Sequence, residues 1–101
     1  MPSAETIREQ IQLPPLVIEV DSCLAHILEV LKHDAPWGTE YTVSIKIECG
    51  PVRTRVFNLT VENTEQLKAK LLAEVTKLRL MRFIYGDDYT REIVGGVASV
   101  P

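Results

Sequence analysis

Asp21-Ser22-Cys23-Leu24-Ala25-His26-Ile27-Leu28-Glu29-Val30-Leu31-Lys32-His33 is the stretch whose period decides the fold. Leu24, Ile27, Leu28 and Leu31 recur at helical spacing, while His26, Glu29, Lys32 and His33 fall toward the opposite side. Asp21 and Ser22 are residue types that cap helix N-termini, and they stand directly before that run. The spacing predicts an amphipathic helix over residues 23–33. Ala35-Pro36-Trp37-Gly38 ends it, because proline cannot continue the hydrogen-bond ladder and glycine permits a turn. Just upstream, Leu16-Val17-Ile18-Glu19-Val20 is short and rich in β-branched residues, which predicts a strand.

Downstream the period changes to two. Tyr41, Val43, Ile45, Ile47 and Cys49 alternate with Thr42, Ser44, Lys46 and Glu48, the pattern of a half-buried strand. Gly50-Pro51 suits a tight hairpin connection, so residues 52–61 are expected to run back. Phe57, Leu59 and Val61 share a face of that return strand, and Arg53 and Arg55 continue the same phase toward the hairpin end. Asn63 or Thr64 then caps a second helix, with Glu65 and Gln66 favourable in its first turn, reaching about residue 84 before Gly86-Asp87-Asp88.

The expected fold is therefore α+β. It has a three-stranded antiparallel sheet covered by two helices in β-α-β-β-α order, and four strands if the chain end adds an edge. Leu13-Pro14-Pro15 separates a polar arm, residues 1–12, from a single domain at 13–89. Residues 90–101, with Ile93, Val94, Val97 and Val100 around Gly95-Gly96, are expected as a tail or weak edge strand.

The chain has 101 residues, the size of one compact domain, with 46% hydrophobic and 25% charged residues. A net charge of −3 supplies no global basic field, which disfavours sequence-blind nucleic-acid binding held by overall electrostatics. Cys23 and Cys49, expected on a helix and a strand, do not resemble a secreted disulfide framework. With no apolar run suited to a signal peptide or a membrane span, the expected setting is the cytoplasm.

Chemistry-bearing patterns are weak. Cys23, His26, His33 and Cys49 are metal-ligand types, but His26 and His33 would lie nearly two helical turns apart and cannot chelate one ion together, so no metal is expected. No Gly-x-Ser-x-Gly, phosphate-cradling glycine loop or Cys-His pairing occurs, so neither catalytic residues nor a cofactor is expected and the chain reads as a non-enzyme. Asp87-Asp88 reads as turn punctuation. Arg53, Arg55, Lys77, Arg79 and Arg82 cluster enough to suggest phosphate contacts, although no aromatic platform interleaves with them.

The second helix carries two apolar faces. Leu67, Leu71, Val75, Leu78, Met81 and Tyr85 form a stripe that can cover the sheet. Ala69, Leu72, Ala73, Thr76, Leu80, Phe83 and Ile84 form another, which needs either a partner or the chain's own ends folded over it. The element order and the wording of residues 63–75, Asn63-Thr64-Glu65-Gln66-Leu67-Lys68-Ala69-Lys70-Leu71-Leu72-Ala73-Glu74-Val75, resemble the Pcc family, the small dimer-forming subunits of the KEOPS tRNA-modification complex. Leu67, Ala69, Leu71 and Val75 fit the family's apolar pattern and Lys68 stands where it favours arginine, while Leu72-Ala73 replaces its Asn-Ser step, as in a divergent paralogue. The resemblance implies a non-catalytic accessory subunit, homodimeric or paired with a related small subunit. It would dock on a catalytic subunit and support threonylcarbamoyladenosine formation in tRNA, with Leu72, Ala73, Thr76, Leu80, Phe83 and Ile84 as the interface. The rival expectation is a ferredoxin-like nucleic-acid-binding module whose fourth strand is residues 90–100 and whose Arg53, Arg55, Lys68, Arg79 and Arg82 touch phosphates.

Overall fold

The computed structural model of the protein describes residues 7–11 and 16–95. Their elements are β1 (Ile7–Ile11), β2 (Leu16–Val20), β3 (Cys23–Ala35), β4 (Gly38–Cys49), β5 (Val52–Arg53), β6 (Phe57–Val61), α1 (Thr64–Tyr85) and α2 (Asp87–Gly95). All strand pairings are antiparallel: β1 and β2 follow one another along one edge of β3, β3 pairs with β4, and β5 and β6 follow one another along the far edge of β4. The fold is thus α+β with an antiparallel sheet and two helices, but the order β-α-β-β-α is not the observed one.

The correction begins at residues 21–33. Asp21 (φ 49°) and Ser22 (φ 72°) both adopt left-handed backbone, and Val20 pairs with Cys23. Two consecutive left-handed residues between paired strands make the type I′ hairpin turn, whose twist matches that of its flanking strands. An N-cap residue has extended backbone instead. Residues 23–33 therefore run back as β3, placing Cys23, Ala25 and Ile27 in the core at period two. A register shift between Ile27 and Glu29 inserts Leu28 as a bulge, after which Val30 packs on the core. Residues 7–11, expected in the polar arm, pair with the distal half of β3.

Cys23 and Cys49 meet at the open end of the β3–β4 hairpin, far from its Pro36-Trp37 turn, and form a disulfide with Cα atoms 4.6 Å apart. They are therefore not the separate packed thiols expected from the sequence. Gly50, at φ +59°, turns β4 into β5, as the Gly50-Pro51 signal indicated. The return strand is interrupted, however. Thr54 still donates its N–H to Ile47 O at 2.9 Å, while Phe57 pairs with Ile45, so residues 55 and 56 together oppose Lys46. That inserted residue flips the side-chain phase. Val52 enters the core with Val61, and Arg53 turns to the opposite face instead of sharing the face of Phe57, Leu59 and Val61.

Helix α1 lies across the apolar sheet face through Leu71, Val75 and Leu78, with Leu67 beside them. Its start is well specified: Asn63 Oδ1 accepts from Gln66 N at 2.8 Å, and Gln66 Oε1 accepts from Glu62 N, just before the cap, at 2.8 Å. Gly86 (φ 86°) closes it, donating to Arg82 O at 2.9 Å. Tyr85, expected in the core stripe, is 53% exposed and stands edge-on to Tyr89. Residues 87–95 are helical, so a ferredoxin-like strand does not occupy them; the rest of that expected strand, 96–100, lies outside the described residues. Thr90 and Val94 bring α2 onto the core.

Candidate interaction interface

Because the sheet lies on only one side of α1, the other side of the helix faces outward. Leu72, Ala73, Thr76, Leu80, Phe83 and Ile84 are all exposed there, and Ala69 continues the stripe. Phe83 is the extreme case, at 87%. At about 100° per residue these seven side chains occupy one arc of the helix, roughly a third of its circumference, with no charge among them. The bordering charges are engaged locally: Arg79 with Asp21, Lys77 Nζ with Glu74 at 3.3 Å, and Lys70 Nζ with Thr60 O at 2.5 Å. Lys68 is exposed at the margin. The alternative cover, the chain's own ends folded over this face, concerns residues 1–6, 12–15 and 96–101, which lie outside the described residues.

The expected phosphate-contacting residues are dispersed. Arg53 and Arg55 line an open cleft of about 720 Å³ together with Lys46 and Arg91, whereas Lys68, Arg79 and Arg82 do not. Arg53 Nε is 2.8 Å from Glu48 Oε2, Arg55 donates to Ile93 O at 3.3 Å, and Arg91 pairs with Asp88 on the cleft wall. Arg82 Nε bonds Asp87 Oδ1 at 2.8 Å, and its guanidinium lies so close to Gly50 that a Cβ there would approach Nη2 to 3.0 Å. Arg82 thereby joins the end of α1 to the start of α2 and lies against the β4–β5 turn at Gly50. The hydrogen bond to Arg82 holds the Asp87 carboxyl below its ordinary value of 3.8.

The open face of the sheet mixes polar pairs with exposed apolar side chains, Val17 and Leu24 among them. His26 Nε2 meets Glu48 Oε1 at 3.1 Å, His33 Nε2 meets Thr42 Oγ1 at 2.9 Å, and Ser44 donates to Asn58 at 2.9 Å. The His26 hydrogen bond, helped by the Arg53 charge, keeps Glu48 below the usual 4.5. Among the described residues no group of three or more His, Cys, Asp or Glu side chains is placed to hold a metal ion, and no helix is long and apolar enough to cross a membrane. A second apolar hollow, about 390 Å³, lies between the sheet and the start of α1, lined by Leu16, Ile27, Val30, Tyr41, Val43 and Leu67 among others.

Sequence reading found the outward face of α1 because a single well-capped helix has a fixed phase. It missed the carboxylates that claim the arginines, since Asp21 was placed in a helix cap and Glu48 and Arg53 were not recognised as cross-strand neighbours. No family model, curated protein or solved structure matches the chain.

Proposed function

We propose that this protein is a non-catalytic interaction module that dimerises through the outward face of α1. The observation that carries this reading is the uncharged, largely apolar stripe from Ala69 to Ile84, with Phe83 almost wholly in solvent. Soluble domains rarely leave such a contiguous patch without a use. Burying what remains exposed of Leu72, Leu80, Phe83 and Ile84 is worth about 5 kcal/mol per copy, or about 10 for a pair. Association costs ~4–15 kcal/mol, so a net gain of about 6 kcal/mol is left at the low end of that cost, and the dimer expected there is weak, with a dissociation constant on the order of 10–100 μM.

The narrower reading, an accessory subunit of a KEOPS-like complex supporting threonylcarbamoyladenosine formation in tRNA, now rests on the helix pattern of residues 63–75 alone, because residues 23–35 form a strand. Direct RNA contact is less favoured: Arg53, Arg79, Arg82 and Arg91 already have carboxylate partners. The Cys23–Cys49 disulfide favours an oxidising compartment over the cytoplasm expected from the cysteine count.

The test is light scattering of the full chain up to about 1 mM, a range set by the affinity above. The wild type is expected to approach dimer mass, and the Leu80→Asp/Phe83→Asp variant to remain a folded monomer because both positions are exposed. A wild type that stays monomeric throughout, or a dimer that the double substitution leaves unchanged, overturns the reading.

A further inference from the structure

We infer that the partner on this face is a second copy of the chain, packed antiparallel about a two-fold axis that passes beside Thr76. This rests on the interface reading above and adds to it an orientation and a register.

The spacing along the face comes first. Ala69, Ala73, Thr76, Leu80 and Phe83 follow one another at intervals of four, three, four and three residues, the seam of a two-helix coiled coil. All five lie on the exposed side of α1. The sizes are graded: two alanines near the start of the helix, threonine in the middle, then leucine and phenylalanine toward its end. An isologous contact must place the same patch on both copies.

Two orientations are available to such a pair, and the gradient separates them. In a parallel pair Phe83 would meet Phe83 and Leu80 would meet Leu80 at one end, while alanines met alanines at the other. The helices would splay at the large end or leave a void at the small one, and close packing tolerates neither. In an antiparallel pair centred on Thr76, Phe83 lies against Ala69 of the other copy and Leu80 against Ala73. Each contact then combines one large and one small side chain, and the helices keep a constant separation.

The borders agree with this register. Arg79 is held by Asp21 and Lys77 by Glu74, so bringing two copies together does not set bare like charges against each other. A seam of about 16 residues spans roughly 24 Å, enough for a weak interface of the smaller class.

Engineered cysteines read the orientation. In the antiparallel pair Thr76 of one copy faces Thr76 of the other, whereas the two Ala69 positions stand about 21 Å apart along the axis. Oxidised at a concentration where the wild type dimerises, Thr76→Cys is expected to give covalent dimer on a non-reducing gel at about tenfold the yield of Ala69→Cys, since a disulfide needs closely approaching Cα atoms. Efficient linking of Ala69→Cys to itself indicates a parallel pair and overturns the inference while leaving the interface in place. If neither variant links although the wild type dimerises and Leu80→Asp/Phe83→Asp abolishes the dimer, the register is overturned and the face survives. A wild type that is monomeric throughout overturns both.

Discussion

Replacing Ser22 by glycine tests the hairpin on which the whole sheet depends. Ser22 sits at φ 72°, in the left-handed region, where an L side chain costs ~1–2 kcal/mol and glycine costs nothing comparable. Glycine also widens the unfolded ensemble, which returns about 0.4–1 kcal/mol of that gain. The net expectation is a stabilisation of about 0.5–1 kcal/mol, a rise of ~3–6 °C in Tm for a domain of this length. Asp21 is left untouched because it holds Arg79. Ser22→Val should move the other way by ~1 kcal/mol or more, since a β-branched residue fits positive φ worst. If residue 22 were a helix N-cap, glycine would instead cost a few tenths of a kcal/mol. Thermal melts followed by far-UV circular dichroism distinguish the cases, and a Tm that falls in Ser22→Gly refutes the hairpin.

Removing the disulfide by Cys23→Ala/Cys49→Ala, or reducing it, opens a link across 26 residues of sequence and should cost about 3.5 kcal/mol. That corresponds to ~15–25 °C in Tm, and a melt unchanged by thiol reductant would refute a structural role for the bond. Thr90 is 0% exposed and its Oγ1 has no partner among the described residues, so Thr90→Val should stabilise the fold by ~1 kcal/mol in urea titrations; a loss of that size would mean the hydroxyl is satisfied. Glu48 and Asp87 have carboxyl values lowered in the folded state, so their contribution is present above their ordinary 4.5 and 3.8 and is lost as pH falls through the folded values. Denaturation midpoints should therefore drop on acidification below those values, and less so in Glu48→Gln; identical acid limbs in the two proteins would count against the His26–Glu48–Arg53 arrangement.

The sheet was partly legible. Period-two alternation in Tyr41 to Cys49 and the Gly50-Pro51 turn were visible because neither is disturbed by packing elsewhere. Residues 23–33 misled for a specific reason. The bulge at Leu28 breaks the alternation Cys23, Ala25, Ile27 and restarts it at Val30, while Leu24 and Leu28 stay on the exposed side. Superposed, the two phases leave Leu24, Ile27, Leu28 and Leu31 at intervals that imitate a helix. A cue was nonetheless present: Cys23 and Cys49 lie at nearly equal distances either side of Pro36-Trp37, and equal arms about a two-residue connection are what a long hairpin requires. Similarly, the second bulge at residues 55 and 56 has no signature in local propensity, and it alone decides that Arg53 faces Glu48 rather than the core rim.

The loss of the first expected helix bears directly on the interface. In a β-α-β-β-α arrangement a second long helix would lie beside α1 on the sheet and compete to cover its flank. Here the only other helix among the described residues is α2, of nine residues, and it packs inward through Thr90 and Val94. Tyr89 and Ile93 are themselves exposed, with Tyr89 edge-on to Tyr85, so α2 carries exposed apolar surface of its own. The helix was expected to be two-faced on sequence grounds, and among the described residues no second long helix lies beside its outward face. Core and proposed contact surface consequently share one element capped by Asn63, and on that proposal substitutions at Leu80 or Phe83 alter association while leaving Leu71, Val75 and Leu78 in place.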